Sequence, residues 1–270
     1  MIKRILVPIP GASLGASAVD QIVWLATAHR ARVTALVAVD ETLKDRTPAL
    51  VAVTDMVSRG IRLCGFQDQA KRAVAELTEA CQTRDISIEV DQRDAELVDA
   101  ACAAWRYHDL LVFPRHGAFH ADVCPDPEAA LVRMIVGRIG PIVSTAATPR
   151  PVRRVIVAYS GSHASAKSMK RFVQMNLCPG ASVRIVTVGE DGFDGQRLLD
   201  DAADYCRAWG VDADTVLLDG PPATALLQHA REFDLIVVGD SARSLLTRKV
   251  FGDVMLQVLR QPDQAVFFAH

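Results

Sequence analysis

The sequence predicts an α/β fold built from two similar domains in tandem, each a five-stranded parallel sheet with helices on both faces. Three observations predict it. An apolar run that ends in a glycine turn occurs twice, helix-period stripes alternate with short apolar strands through both halves, and the same order of elements is traversed twice in 270 residues.

The first strand is Arg4-Ile-Leu-Val-Pro-Ile-Pro-Gly11, and it returns as Arg154-Val-Ile-Val-Ala-Tyr-Ser-Gly161. A continuous apolar run suits a parallel strand buried on both faces. A helix follows in each half, with Val19, Ile22, Val23 and Ala26 on one face in the first and Met169, Phe172 and Val173 in the second, and with serines ahead of both as N-caps. The second strands are Val33-Thr-Ala-Leu-Val-Ala-Val-Asp40 and Val183-Arg-Ile-Val-Thr-Val-Gly-Glu190, each ending at an acid. The next helices carry Ala70, Ala73, Val74, Leu77 and Cys81, and Leu198, Ala202, Tyr205, Cys206 and Trp209. Strands at 86–90 and 211–218, a third helix, and the pair Asp109-Leu-Leu-Val-Phe113 and Asp234-Leu-Ile-Val-Val238 complete the repeat.

The closing strands are Pro141-Ile-Val-Ser-Thr145 and Ala265-Val-Phe-Phe-Ala269. Pairing them would satisfy an apolar edge that otherwise invites aggregation. Two prolines in Ala146-Ala-Thr-Pro-Arg-Pro-Val152 interrupt periodicity and place the domain boundary between 148 and 149, giving domains 1–148 and 149–270. Residues 41–66 have no counterpart of equal length in the second copy and read as a mobile loop or an extra helix.

Composition narrows the function classes. Half the residues are hydrophobic and 23% are charged, a globular balance, and no apolar run reaches the length of about 18 residues that a membrane span needs. The amino terminus lacks the pattern of a secretory signal, so a cytoplasmic location is expected. A net charge of −2, balanced in both halves, argues against nucleic acid as a partner. The six cysteines are scattered without a Cys-x-x-Cys pair and read as reduced packing residues.

In an open α/β sheet, ligands bind beyond the carboxyl ends of the strands. In the second copy the segment after the fourth strand runs Gly239-Asp-Ser-Ala-Arg-Ser-Leu-Leu-Thr-Arg-Lys-Val-Phe-Gly252-Asp253. It resembles the phosphate loop of the universal stress protein superfamily, Gly-x-x-Gly, nine residues, then Gly-Ser/Thr. Asp219-Gly-Pro-Pro-Ala-Thr-Ala-Leu-Leu227 is similar to the family's Gly-x-Pro segment, and the likeness covers the second copy and, more loosely, the first.

The resemblance implies two Rossmann-like domains of the adenine nucleotide alpha hydrolase type, a role in stress response, and an adenine nucleotide as ligand. Its site would comprise Ser160, Gly239, Ser241, Ala242, Arg243, Gly252 and Asp253. Three positions depart from the ATP-binding pattern. Ala242 replaces the second glycine and crowds a backbone that must approach phosphate, Asp253 sets an anion where a hydroxyl would donate, and Ser160 stands where the family has an aspartate. In the first copy that aspartate is Pro10, and the loop from Phe113 to Pro127 keeps Gly117 but lacks the terminal Gly-Ser, so no ATP is expected there.

Within that loop His116, His120 and Cys124 recur every four residues, donor types that suit zinc. Trp24, Trp105 and Trp209 sit in helical patterns as core or domain-interface residues. His163, Arg248 and Lys249 read as solvated. No nucleophile beside a base, no paired carboxylates and no P-loop lysine are found, which argues against an enzyme. The expected function is a regulatory or ligand-sensing module whose two domains pair internally, with a homodimer as a further option. The alternatives are a weak Mg-dependent nucleotide hydrolase or phosphotransferase using Asp253, and a protein-interaction scaffold.

Overall fold

The computed structural model describes residues 1–39, 53–121, 123–137, 139–149, 151–189, 194–239, 257–259, 261 and 263–269, with side chains in the helix spanning 53–82 described from residue 65 onward. They divide into two compact units, Lys3–Ile139 and Gly140–His270, the latter together with Met1–Ile2. The division comes nine residues ahead of position 149.

In the amino-terminal unit the order is β1 (Arg4–Pro8), β2 (Gly11–Ser13), α1 (Ala16–His29), β3 (Arg32–Ala38), α2 (Val53–Gln82), β4 (Ile88–Arg93), α3 (Leu97–Trp105), β5 (Leu110–Phe113), β6 (Ala118–Phe119) and α4 (Pro127–Val136). Its main strands are parallel in the order β5-β1-β3-β4. The carboxy-terminal unit contains β7 (Ile142–Ser144), β8 (Arg154–Ala158), α5 (His163–Met175), β9 (Ser182–Val188), α6 (Gly195–Ala208), β10 (Ala213–Leu218), α7 (Pro222–Ala230), β11 (Leu235–Gly239) and β12 (Ala265–Ala269). Here the order is β10-β9-β8-β11-β12-β7, parallel except for β7, which runs antiparallel to β12.

The two closing segments named from sequence are thus hydrogen-bonded neighbours, in register Phe267 with Val143. Because β7 pairs with β12, the strand that closes the first copy in sequence groups with the second unit, leaving four main strands in the first sheet. Phe267 and Phe268 are fully buried.

The repeat recurs in atomic detail. A carboxylate oxygen of Asp109 accepts from the backbone N–H of Lys3 and Arg4 at 2.8 and 3.0 Å, and one of Asp234 accepts from Arg153 and Arg154 at 2.9 Å each. Each acid therefore ties the start of its sheet's first strand to the start of the fourth. Helices α1 and α5 both end in a left-handed residue, Arg30 at φ 52° and Asn176 at φ 49°.

Burial follows the apolar stripes, with Val19, Ile22, Ala26, Met169, Phe172, Val173, Ala70, Ala73, Leu77 and Cys81 inside. Helix α6 differs. Its inward face is Leu199, Ala202, Ala203 and Cys206, rotated from the stripe read through Leu198 and Trp209. Trp209 is the C-cap residue and 51% exposed, so it is not core; Trp24 and Trp105 are half-buried. The stretch from 53 to 66 belongs to α2, while 40–52 lies outside the described residues. The five described cysteines are free. No described helix is long and apolar enough to cross a membrane.

Candidate functional site

Strand order reverses between β8 and β11, and a ligand site in such a sheet lies beyond the carboxyl ends of the strands at that reversal. Three segments converge there. β8 continues through Tyr159, whose N–H donates to Val186 O at 2.9 Å, and delivers Ser160 to solvent. Gly161 then turns the chain with φ at +70°, a conformation that a side chain would strain. Ser162 caps α5, its hydroxyl accepting from the N–H of Ser165 at 3.2 Å.

The three hydroxyls touch one another. Ser160 Oγ lies 3.0 Å from Ser162 Oγ and 3.3 Å from Ser165 Oγ, and Ser162 Oγ lies 3.1 Å from Ser165 Oγ. Ser165 Oγ also lies within donating distance of Ser162 O, at 3.0 Å, and it accepts from Ser160 N at 3.3 Å. With its one proton given to that carbonyl, buried Ser165 acts as an acceptor within the trio. The exposed Ser160 hydroxyl can then donate inward to Ser165 or outward to an arriving acceptor. No acid stands in the first turn of α5, so the partial positive charge of the helix start is unopposed there.

Gly239 ends β11 against this turn. A Cβ there would come within 2.5 Å of Ser165 N and 2.8 Å of Ala164 C, both backbone atoms. Glycine is thus the residue that lets strand and helix approach. Of the expected ligand residues, the structure brings Ser160 and Gly239 to the same helix turn, while Ser241, Ala242, Arg243, Gly252 and Asp253 lie outside the described residues. Sequence reasoning saw Ser162 as a cap and missed its union with Ser160 and Ser165. The Ser-x-Ser-x-x-Ser spacing from Ser160, read around a left-handed glycine, carries that signal.

The equivalent end of the amino-terminal sheet is filled by its own chain. After β1, Ile9 N donates to Leu36 O at 2.9 Å, and Pro10 O accepts from His120 N at 2.9 Å. Next, β2 pairs antiparallel with β6, a ladder absent from the sequence-based prediction. Gly11 and Gly117 are its fitting points: a Cβ at Gly11 would overlap Ala118 O, and one at Gly117 would sit 2.5 Å from Ser13 O. Beneath lie Ile9, Leu14, Phe66 and Phe113, all essentially inaccessible, with Phe66 packed edge-on to His120 at 5.3 Å.

The same segment carries the three zinc candidates. His116, His120 and Cys124 span a turn, a strand and a second turn ahead of α4, so four-residue spacing does not align them. His116 is exposed and accepts from Arg115 Nε at 3.1 Å, whereas Cys124 is buried with its thiol pushed up to about 11 by burial and therefore protonated. Among the described residues no group of three or more His, Cys, Asp or Glu is disposed to hold a metal ion.

Comparison with known proteins gives the same frame. The profile of the universal stress protein family matches residues 1–139 and 190–270. Universal stress protein YxiE of Bacillus subtilis is 27% identical over 133 residues, covering 39% of this chain and 90% of that protein. The structure of a universal stress protein from Archaeoglobus fulgidus superposes with a TM-score of 0.71 at 16% identity, covering 98% of this chain and 97% of that one. A universal stress protein solved in complex with cAMP is 25% identical, covers 45% of this chain and 99% of its own, and gives a TM-score of 0.38. The family's profile matches most of the chain, and the chain therefore belongs to the universal stress protein family.

Proposed function

We propose that this chain is a cytoplasmic, non-enzymatic binding protein of the stress response, in which the carboxy-terminal copy senses an anionic ligand of the adenine-nucleotide class and the amino-terminal copy serves as scaffold. The observation that carries this reading is the Ser160–Ser162–Ser165 hydroxyl trio at the start of α5 beside Gly239. Hydroxyl donors and free helix N–H groups together suit a phosphate or another anion. The site is weak for ATP because Ala242 and Asp253 oppose phosphate at the loop that resembles the family's. The ladder of β2 with β6 supports a scaffold role for the first copy.

The test is thermal unfolding with and without ATP, since a ligand selective for the folded chain raises its melting temperature. Millimolar ATP is expected to raise it slightly, and the double change Ala242→Gly with Asp253→Ser to enlarge that rise. Nanomolar binding by the unaltered chain, or no gain in the double variant, would overturn the reading.

A further inference from the structure

Away from the ligand site, a cavity of about 300 Å³ opens between the end of α3 and strands β1, β3 and β4. It is lined by an unusual run of charged and polar groups: Arg4, Thr34, Glu89, Asp91, Arg93 and His108. Four of them form one chain of hydrogen bonds. His108 Nδ1 lies 2.8 Å from Ala104 O, His108 Nε2 lies 2.9 Å from Thr34 Oγ1, Thr34 Oγ1 lies 2.8 Å from Glu89 Oε1, and Arg4 Nη2 donates to that same oxygen at 2.6 Å.

Counting protons along this chain exposes a conflict. A carbonyl only accepts, so Nδ1 must carry a hydrogen. Thr34 is 2% exposed and has one hydroxyl proton for two neighbours. When His108 is neutral its Nε2 is an acceptor that competes with Glu89 for the Thr34 proton, and whichever contact loses has no hydrogen. When His108 is protonated, Nε2 donates to Thr34 and the hydroxyl turns to Glu89, so every link is made.

We propose that Thr34 is a hydroxyl switch that couples protonation of His108 to the bond between Thr34 and Glu89 on the edge strand β4. In acid the chain is continuous from the end of α3 to the Arg4–Glu89 pair, and near neutrality His108 and Glu89 compete for the one Thr34 proton, so one of the two links lacks a hydrogen. The charged groups facing His108 are Arg4 from β1 and Glu89, Asp91 and Arg93 from β4, with the Tyr107 phenol from its own turn. Arg93 is paired with Asp91 at 2.7 Å and Arg4 with Glu89, so the switch works within two largely compensated ion pairs. Burial draws His108 below its ordinary value, and the bonds from Thr34 and Arg4 hold Glu89 low, so the neutral-histidine, ionised-glutamate state prevails at neutral pH.

The experiment is NMR titration of the His108 ring in the full chain. Glu89→Gln should lower the His108 midpoint by about 0.5 pH unit or more, because it replaces the ionised acceptor that rewards protonation with a weaker, neutral amide oxygen. In a Thr34→Val background the same change should shift the midpoint by less than half as much, since the relay is gone. Thr34→Ser keeps the hydroxyl and should restore the full shift. An equal shift with and without the Thr34 hydroxyl would reduce the coupling to through-space charge and overturn the proposal. So would an unmoved midpoint in Glu89→Gln, or a Thr34→Ser variant that behaves like Thr34→Val.

Discussion

The carboxyl end of the first strand meets two different fates in the two copies. After β8 the chain presents Ser160 to solvent and turns through Gly161 into a serine-capped helix. After β1 it runs through Ile9 and Pro10 into β2, which the β6 arm covers closely enough that Gly11 and Gly117 have no room for a side chain. Both sheets place β1 or β8 at the same point of the strand order, and both anchor it with an equivalent aspartate. The lesson is that the scaffold tolerates loss of the site. A polar exit leaves hydroxyls and a helix start open to solvent, and an apolar exit followed by a glycine lets the polypeptide fill the same space with its own backbone.

That contrast can be broken from either side. The largest effect is expected from Gly11→Val, whose Cβ would overlap the carbonyl of Ala118; wedging β2 from β6 should cost about 3 kcal/mol in denaturant unfolding. The response to ATP should be unchanged, because the proposed site belongs to the other copy. Gly239→Ala comes next, at about 2 kcal/mol, since the added methyl meets backbone atoms of Ala164 and Ser165. Here the melting shift caused by ATP should disappear.

A matched pair of cap removals sharpens the comparison. Ser162 caps α5, and Asp126 caps α4 by accepting from Ala129 N at 2.9 Å. Each change to alanine should cost about 1 kcal/mol. Only Ser162→Ala should also weaken the ATP response, and an equal loss in both variants would mean that the serine acts through stability alone. The smallest effect concerns pH. Folded His108 binds its proton less readily than the unfolded chain does, so the unfolded state holds more protons below the ordinary histidine value. Stability should therefore fall as pH drops from about 6.5 toward the lower folded value, and His108→Gln should flatten that part of the profile.

Much of the fold was legible because it rests on local patterns. Apolar runs mark the parallel strands, the stripes of α1, α2 and α5 mark their buried faces, and the repeated Asp-Leu-x-Val marks the strand that ties back to the sheet's start. What escaped depends on pairings between distant residues. The ladder joins residues 11–13 to 118–119, and nothing in either short segment carries strand periodicity. Helix α6 supports two overlapping stripes, and packing chose the one through Leu199, turning Trp209 outward. The prolines flanking His116, His120 and Cys124 already argued in the sequence against a helix aligning them, and β6 lies in that stretch. At the candidate site, Ser160 and Gly239 were legible through family resemblance, while the convergence of Ser162 and Ser165 on them needed the turn at Gly161.

The central claim is that one copy is open to ligand and the other is filled by its own chain. Calorimetric titration of the Ala242→Gly, Asp253→Ser variant with ATP tests it most directly, because that variant should bind tightly enough to count sites. The expected result is one ATP per chain, abolished by adding Gly239→Ala and untouched by Gly11→Val. Two ATP molecules per chain, or one that survives Gly239→Ala, would contradict it.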